Sequence, residues 1–296
     1  ITAFTKSKTT ENTPYDSRLG AIDNGTKCPT CQEGTLTCPG HFGHISLPIC
    51  IYNRTFMKYI VSLLQCICHN CSRLRIKNAQ ISTFSTKVMY RDPYKILKTI
   101  EEKCSKYNEC PHEDCGEPLH KVVFTKRDEI KILASPTKKI PLTADYVRSI
   151  FKKISDADLN VLGFNRHLKP DPKFMKTIHG EATHLHKFRP ENLIIKNLIV
   201  IPPSARPYAI RDGETCDDDI TAGYDNIIKL CNKVSGKTTK KTKSSIQTPQ
   251  IHRIELQNAI WTLMNSKDDA STSAGGRVTR GFVNRLIAKE GRVQNN

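Results

Sequence analysis

The chain has 296 residues, and its 46 Lys and Arg against 29 Asp and Glu leave a formal charge of +17. A surplus of that size points to a polyanionic partner, because each phosphate neutralised releases condensed counterions. The length suits one or two domains with a real core. No run of about 18 apolar residues occurs, and no amino-terminal stretch has the charged-then-apolar form of a signal peptide, so no membrane partner is expected. The sequence starts at Ile1 and stops in mid-pattern at Asn296, which reads as a piece of a longer chain.

Residues 1–20 are polar and lack core periodicity. Residues 24–50 are rich in Gly, Pro and Cys, a composition that suits metal-stapled loops. Phe56, Ile60, Leu63, Leu64 and Ile67 then fall at helical spacing and predict a buried helix leading into Cys68. Residues 72–120 are polar and without a clear period. Val122–Phe124 and Ile130–Leu133 predict a strand pair across a charged turn. Thr143 is placed to cap a helix whose apolar face is Val147, Ile150, Phe151 and Ile154.

Residues 165–188, with their His, Pro and Lys, predict an exposed loop. Leu193–Ile201 is an almost continuous apolar run, expected to be a buried strand stopped by Pro202 and Pro203. Asp217–Asp219 stand at the start of a helix carrying Ile220, Tyr224, Ile227, Ile228 and Cys231, where acidic groups complement the helix dipole. Residues 235–250 are rich in Lys, Thr and Ser. A last helix, about Ile251–Met264, is expected to pack Leu256, Ala259, Ile260 and Leu263. A Ser/Gly/Asp loop and a basic tail from Arg277 to Arg292 follow.

Ten of the twelve cysteines lie between Cys28 and Cys115, several in C-x-x-C pairs with interleaved His. That clustering favours metal in a reducing, intracellular compartment over disulfides. Cys28-x-x-Cys31 and Cys38-x-x-His41 form two ligand pairs that can grip one Zn²⁺ from opposite sides. Four protein ligands leave no open position, so such a zinc is structural. His44 competes for the fourth place, and His41 is preferred because it repeats the two-residue gap. Cys68-x-x-Cys71 is half of a second site, for whose other half Cys104, Cys110 and Cys115 compete on spacing alone. Cys50, Cys66, Cys216 and Cys231 are expected to be small core residues.

Asp16-Ser-Arg-Leu-Gly-Ala-Ile-Asp23, followed by the Cys28-to-His44 block, resembles the amino-terminal clamp of the largest subunit of multisubunit RNA polymerases. The eukaryotic and large-DNA-virus forms resemble it most. The blocks continue in order: Cys68-x-x-Cys71, Cys115-Gly-Glu-Pro, Leu162-Gly-Phe164, Arg189-Pro-Glu191, Ile201-Pro-Pro-Ser-Ala-Arg-Pro207, Asp218-Asp-Ile-Thr221 and Arg285-Leu-Ile-Ala-Lys-Glu-Gly-Arg292. The resemblance implies an α+β fold with two structural Zn²⁺ ions, the second held by Cys68, Cys71, Cys110 and Cys115. The four-residue gap between Cys110 and Cys115, where some relatives have two, departs from the pattern.

The resemblance also implies a division by role: a zinc-binding clamp core over 1–120, a clamp head over 121–200, a return to the core with a lid-like segment over 201–264, and a loop and switch start over 265–296. It implies a grip on template DNA and on the RNA–DNA hybrid, with Arg206, Arg285, Lys289 and Arg292 against nucleic acid. The implied partners are the second-largest and smaller polymerase subunits, and the implied location is the nucleus, or host cytoplasm and virion for a viral enzyme. The parent enzyme is a nucleotidyltransferase using Mg²⁺. No Asn-Ala-Asp-Phe-Asp-Gly-Asp block occurs here, so that Mg²⁺ is expected outside this chain and no catalytic residue within it. The competing reading is a freestanding zinc-dependent nucleic-acid-binding transcription factor or interaction module.

Overall fold

The computed structural model describes residues 11–22, 25–76, 93–125, 129–135, 138–164, 189–211, 213–236, 249–265 and 280–286. The described elements are, in chain order, β1 (Gly43–Tyr52), α1 (Met57–Cys66), α2 (Pro93–Cys104), β2 (Lys121–Phe124), β3 (Ile130–Leu133), β4 (Lys139–Pro141), α3 (Ala144–Lys152), α4 (Asp156–Val161), β5 (Ile194–Val200), β6 (Ala209–Arg211), β7 (Glu214–Cys216), α5 (Asp219–Val234), α6 (Pro249–Met264) and α7 (Phe282–Leu286). Helices and three small sheets make the expected α+β class: β1 pairs with β5, β2-β3-β4 form an antiparallel trio, and β6 pairs with β7. None of the described helices is long and apolar enough to cross a membrane.

The chain divides into two compact units, one of residues 1–49 with 196–296 and one of residues 50–195. Cys28–His41 falls in the first unit and Cys68–Cys115 in the second. The predicted loop at 165–188 and the tract at 237–248 lie outside the described residues.

In the second unit α1 buries Ile60, Leu63 and Leu64 completely. Its start is set by Asn53, whose side chain accepts from the Thr55 amide at 3.1 Å and opens a 3-10 turn into the helix. The α2 helix was not expected, because Lys and Glu dilute its apolar residues. Ile96, Leu97, Ile100 and Cys104 nevertheless keep helical phase and are buried. Thr143 caps α3 as its position predicts, accepting from the Tyr146 amide at 3.3 Å. The Tyr52 hydroxyl donates to the Leu142 carbonyl at 2.9 Å, fixing the approach to that cap.

Two of the sequence blocks hold this unit together. Gly163, at φ +87°, ends α4 in a left-handed turn that closes through the Phe164 amide to the Leu159 carbonyl at 3.0 Å. Arg189 forks between Glu191 and Asp156, at 3.0 and 2.9 Å, and donates to the Ile154 carbonyl just past the end of α3. A cation there neutralises the negative end of the helix dipole.

In the first unit α5 starts at Asp218, which caps it by accepting from the Ile220 amide at 2.9 Å. α5 packs along α6, and Ile220, Tyr224 and Ile227 of the one and Leu256, Ile260 and Leu263 of the other are buried. Gly223 permits the close approach, since a Cβ there would meet the Leu263 side chain at 2.8 Å. Trp261, which the apolar pattern passed over, is 1% exposed, whereas Ala259 stays half-exposed.

Candidate metal centres

The first centre is assembled from three stretches of backbone. Asp16 opens a 3-10 turn, Ser17–Leu19, and the His41 amide donates to the Leu19 carbonyl at 2.8 Å. The Thr30 hydroxyl donates to the Arg18 carbonyl at 2.7 Å. The Asp16-Ser-Arg-Leu-Gly block is thus the cradle on which the ligand loop is hung. Gly20 sits so close that a Cβ would lie 3.6 Å from the Cys38 sulfur.

Within the loop, the Cys28 amide donates to the Glu33 carbonyl at 2.9 Å, and the Gln32 amide returns to the Cys28 carbonyl at 2.8 Å. Gln32 takes a left-handed conformation, φ +63°, to make that turn. The result brings Cys28, Cys31, Cys38 and His41 together, all ligand atoms within 4.8 Å of one another. Cys31 Sγ lies 3.6 Å from Cys38 Sγ, which in turn lies 3.7 Å from His41 Nε2. A disulfide needs about 2.05 Å. A tetrahedral zinc with bonds of ~2.3 Å spaces its sulfurs about 3.8 Å apart. The group therefore fits zinc and not a disulfide. His44 stands exposed on β1, outside the group.

The second centre repeats the turn. The Cys68 amide donates to the Arg73 carbonyl at 2.9 Å and the Ser72 amide to the Cys68 carbonyl at 3.0 Å, with Ser72 left-handed at φ +59°. Opposite it, the Cys110 amide donates to the Glu117 carbonyl at 2.9 Å, and Gly116 takes φ +55°. The longer Cys110–Cys115 gap does not spoil the geometry. The two additional residues widen the loop ahead of Cys115, whose amide turns back to the His112 carbonyl at 3.0 Å.

Cys68, Cys71, Cys110 and Cys115 converge within 4.8 Å, with Cys68 to Cys115 at 3.7 Å and Cys71 to Cys110 at 3.8 Å. Among the three competitors left open by spacing, the structure brings Cys110 and Cys115 into the group. It turns Cys104 away, donating to the Cys66 carbonyl at 3.6 Å.

In each centre one thiol is held low while others are pushed up: burial raises Cys68 and Cys110, and Cys31, against the lowering Glu33 amide, is raised by burial and by the neighbouring Cys38 and Cys28 thiols. Burial raises the Cys28 thiol, but the Cys31 and Thr30 amides outweigh it and hold the group down at about 6. The Glu117 amide lowers Cys115 to about 7 against the opposing effect of burial. A four-thiolate zinc also leaves net negative charge that must be balanced. Buried Arg75 lies within electrostatic reach of Cys68 and Cys110. It donates through Nε to the Ile67 carbonyl at 2.9 Å and through Nη2 to the Leu64 carbonyl at 3.1 Å, at the end of α1. Arg73, just after Cys71, pairs with Asp114, just before Cys115, and so links the two halves at the surface.

The expected nucleic-acid residues fare differently. Arg206 is 0% exposed, so its side chain offers no surface to a phosphate. Its Nε donates to the Ile201 carbonyl at 3.0 Å and Nη1 to the Thr221 hydroxyl at 2.9 Å, while Nη2 reaches the Pro14 carbonyl. The guanidinium sits 5.6 Å from the ring centres of both Tyr15 and Tyr224. Expected at a nucleic-acid surface, Arg206 is instead the polar centre of a core, because the fork finds carbonyls and aromatic faces on every side. Arg285 on α7 pairs with Asp218. Lys289 and Arg292 lie outside the described residues. Cys216, expected in the core, is exposed on β7, a three-residue strand all of whose side chains are exposed.

The described geometry is accompanied by clear kinship. The chain matches the family described as RNA polymerase Rpb1, domain 1, over residues 1–179 and 173–296. It is 31% identical to DNA-directed RNA polymerase subunit 1 of Acanthamoeba polyphaga mimivirus, over 95% of this chain and 19% of that protein. It is 28% identical to DNA-directed RNA polymerase subunit Rpo1N of Methanococcus vannielii, over 95% of this chain and 30% of that protein. Against DNA-directed RNA polymerase II subunit RPB1 of Euplotoides octocarinatus the identity is 27%, over 95% of this chain and 58% of that protein. The chain spans between about a fifth and three fifths of these curated relatives. With two four-ligand centres on the loops that carry its motif blocks, it belongs to the RNA polymerase Rpb1 domain 1 family.

Proposed function

We propose that this chain is the clamp part of a DNA-directed RNA polymerase largest subunit, holding template DNA and the RNA–DNA hybrid during transcription. The observation that carries the reading is the pair of four-ligand centres set in an Rpb1 domain 1 sequence. Each holds one structural zinc: Cys28, Cys31, Cys38 and His41 in one, Cys68, Cys71, Cys110 and Cys115 in the other. With all four positions filled by protein, each ion is a staple, and its binding energy is folding energy. The partners in this reading are the other polymerase subunits and nucleic acid. Arg285, Lys289 and Arg292 meet phosphates as charge and forked donors, without base readout.

Nucleotidyl transfer is the activity of the parent enzyme and is not assigned to residues of this chain, which lacks the Asp-rich Mg²⁺ block. The freestanding transcription-factor reading has no observation in its favour beyond the metal centres, which the polymerase reading also explains. Elemental analysis of the purified chain tests the staples, with two zinc ions expected. Duplex binding tests the grip: it should be blind to sequence and fall steeply with salt. A clear sequence preference, or one zinc, would overturn the corresponding part.

A further inference from the structure

The three-stranded sheet of the second unit has two unlike faces. Register sets Lys121 opposite Leu133 and Leu133 opposite Lys139 in one row, and Val123 opposite Lys131 and Lys131 opposite Pro141 in the next. Directly paired residues point to the same side, so Lys121, Lys131 and Lys139 share one face. The other face carries Val122 and Ile130, which are 1% and 0% exposed and belong to the core.

On the lysine face each cation stands next to an apolar residue and never directly opposite another lysine. This chequerboard concentrates positive charge while avoiding the cross-strand repulsion that like pairs would cause. Lys131 is paired with Glu129 at 2.6 Å. Lys121 and Lys139 are exposed and make no ion pair among the described residues. They stand two strand spacings apart, about 10 Å.

We propose that this lysine face is a second nucleic-acid contact, gripping the phosphate backbone of duplex DNA through Lys121 and Lys139. It deepens the clamp reading and rests on it for the choice of ligand. The chemistry is that of point charges on flexible stems, which neutralise phosphates without reading bases. A rigid sheet holds their spacing, and Lys131, paired with Glu129, stands in the neighbouring row without adding a free charge. The chain's surplus of +17 agrees with a polyanion over a basic partner.

The test uses the zinc-loaded 296-residue chain and a mixed-sequence duplex of about 30 base pairs, with affinity followed against salt. The double variant Lys121→Gln/Lys139→Gln should make the log–log salt slope shallower by about 1.8, close to 0.9 for each phosphate no longer neutralised. Lys229→Gln, which removes an exposed cation already paired with Asp225, should leave the slope unchanged. Zinc content and circular dichroism of each variant confirm that it is folded. An unchanged slope in the double variant overturns the proposal. If the double variant Lys289→Gln/Arg292→Gln lowers the slope while the Lys121/Lys139 variant does not, the clamp reading stands and the lysine face falls. If the Lys121/Lys139 variant alone lowers it, the lysine face stands and the tail assignment falls. A polyglutamate competitor that binds more tightly than the duplex, through the same two lysines, would overturn nucleic acid in favour of an acidic protein segment.

Discussion

Arg206 donates to the Thr221 hydroxyl at 2.9 Å, and this bond ties the Pro-Pro loop after β5 to the first turn of α5. The same guanidinium reaches the Ile201 and Pro14 carbonyls, so three separate stretches of the first unit meet on one side chain. Burial lowers the guanidinium below its ordinary value, and it remains charged because carbonyls and two tyrosine rings face it. Arg206→Ala strands those acceptors and should destabilise the unit by about 3–5 kcal/mol in denaturant unfolding. Arg206→Lys, which has no planar fork, should recover only part of that loss. The salt slope of duplex binding should not change in whichever variant remains folded, because the side chain is covered.

The second centre makes a sharp distinction between neighbouring cysteines. Cys110→Ser should reduce bound zinc from two ions to one. Cys104→Ala should leave two, since Cys104 lies outside the four-ligand group and donates to the Cys66 carbonyl. Its cost should be confined to stability, about 1 kcal/mol. Metal analysis beside thermal unfolding separates the two effects.

Gly40 lies between Pro39 and His41 at φ +77°. A Cβ there would come within 2.6 Å of Pro202 Cβ and 3.0 Å of Ser204 Oγ. Gly40→Ala is therefore strained both by its backbone and by its neighbours, and should weaken the first centre by about 2 kcal/mol or more. A chelator competition should show one of the two zinc ions released earlier than in the parent chain. Gly34→Ala serves as a control, since its Cβ would meet nothing within 4 Å.

The carboxylate of Asp16 accepts from Arg18 Nη2 at 2.6 Å and Nε at 2.9 Å, and from the Asn12 amide at 2.7 Å. The Arg18 side chain leads these in holding Asp16 well below the usual carboxylate range. A depressed folded-state value means that the stabilisation is complete above the unfolded value of about 3.9 and is lost as pH falls through the folded one. With Arg18 largely exposed, screening limits the effect to about 1–2 kcal/mol. Asp16→Asn should cost that amount at neutral pH. The gap between variant and parent, read from urea midpoints, should stay level down to about pH 5 and close only at lower pH.

Much of the second unit was legible because local patterns there agree with tertiary burial. Thr143 caps α3, the β2–β3 pair falls on the two short apolar runs either side of the charged turn, and α1 ends just before Cys68. Helix α2 was hidden, since three apolar residues among Lys and Glu give a weak signal until Ile96, Leu97 and Ile100 are seen buried together. Trp261 was hidden for a similar reason. A single large side chain does not alter the period of a helix, yet Trp261 is among the largest fully buried side chains of the described residues.

What the sequence by itself determined is the first metal centre, the kinship, and the existence of a second centre. A C-x-x-C pair carries its geometry within one short turn, so spacing alone is informative about ligands. Spacing left the other half of the second centre open and the resemblance implied Cys110 and Cys115, which the tertiary structure brings to Cys68 and Cys71; which arginine is buried was decided by the tertiary structure alone. Cys104, Cys110 and Cys115 differ by little in sequence distance from Cys68, and only the turn of the backbone after α2 sends one away. Arg206 is as basic as any residue on the surface. Three chain segments distant in sequence surround it, and charge in a sequence says nothing of such a cage.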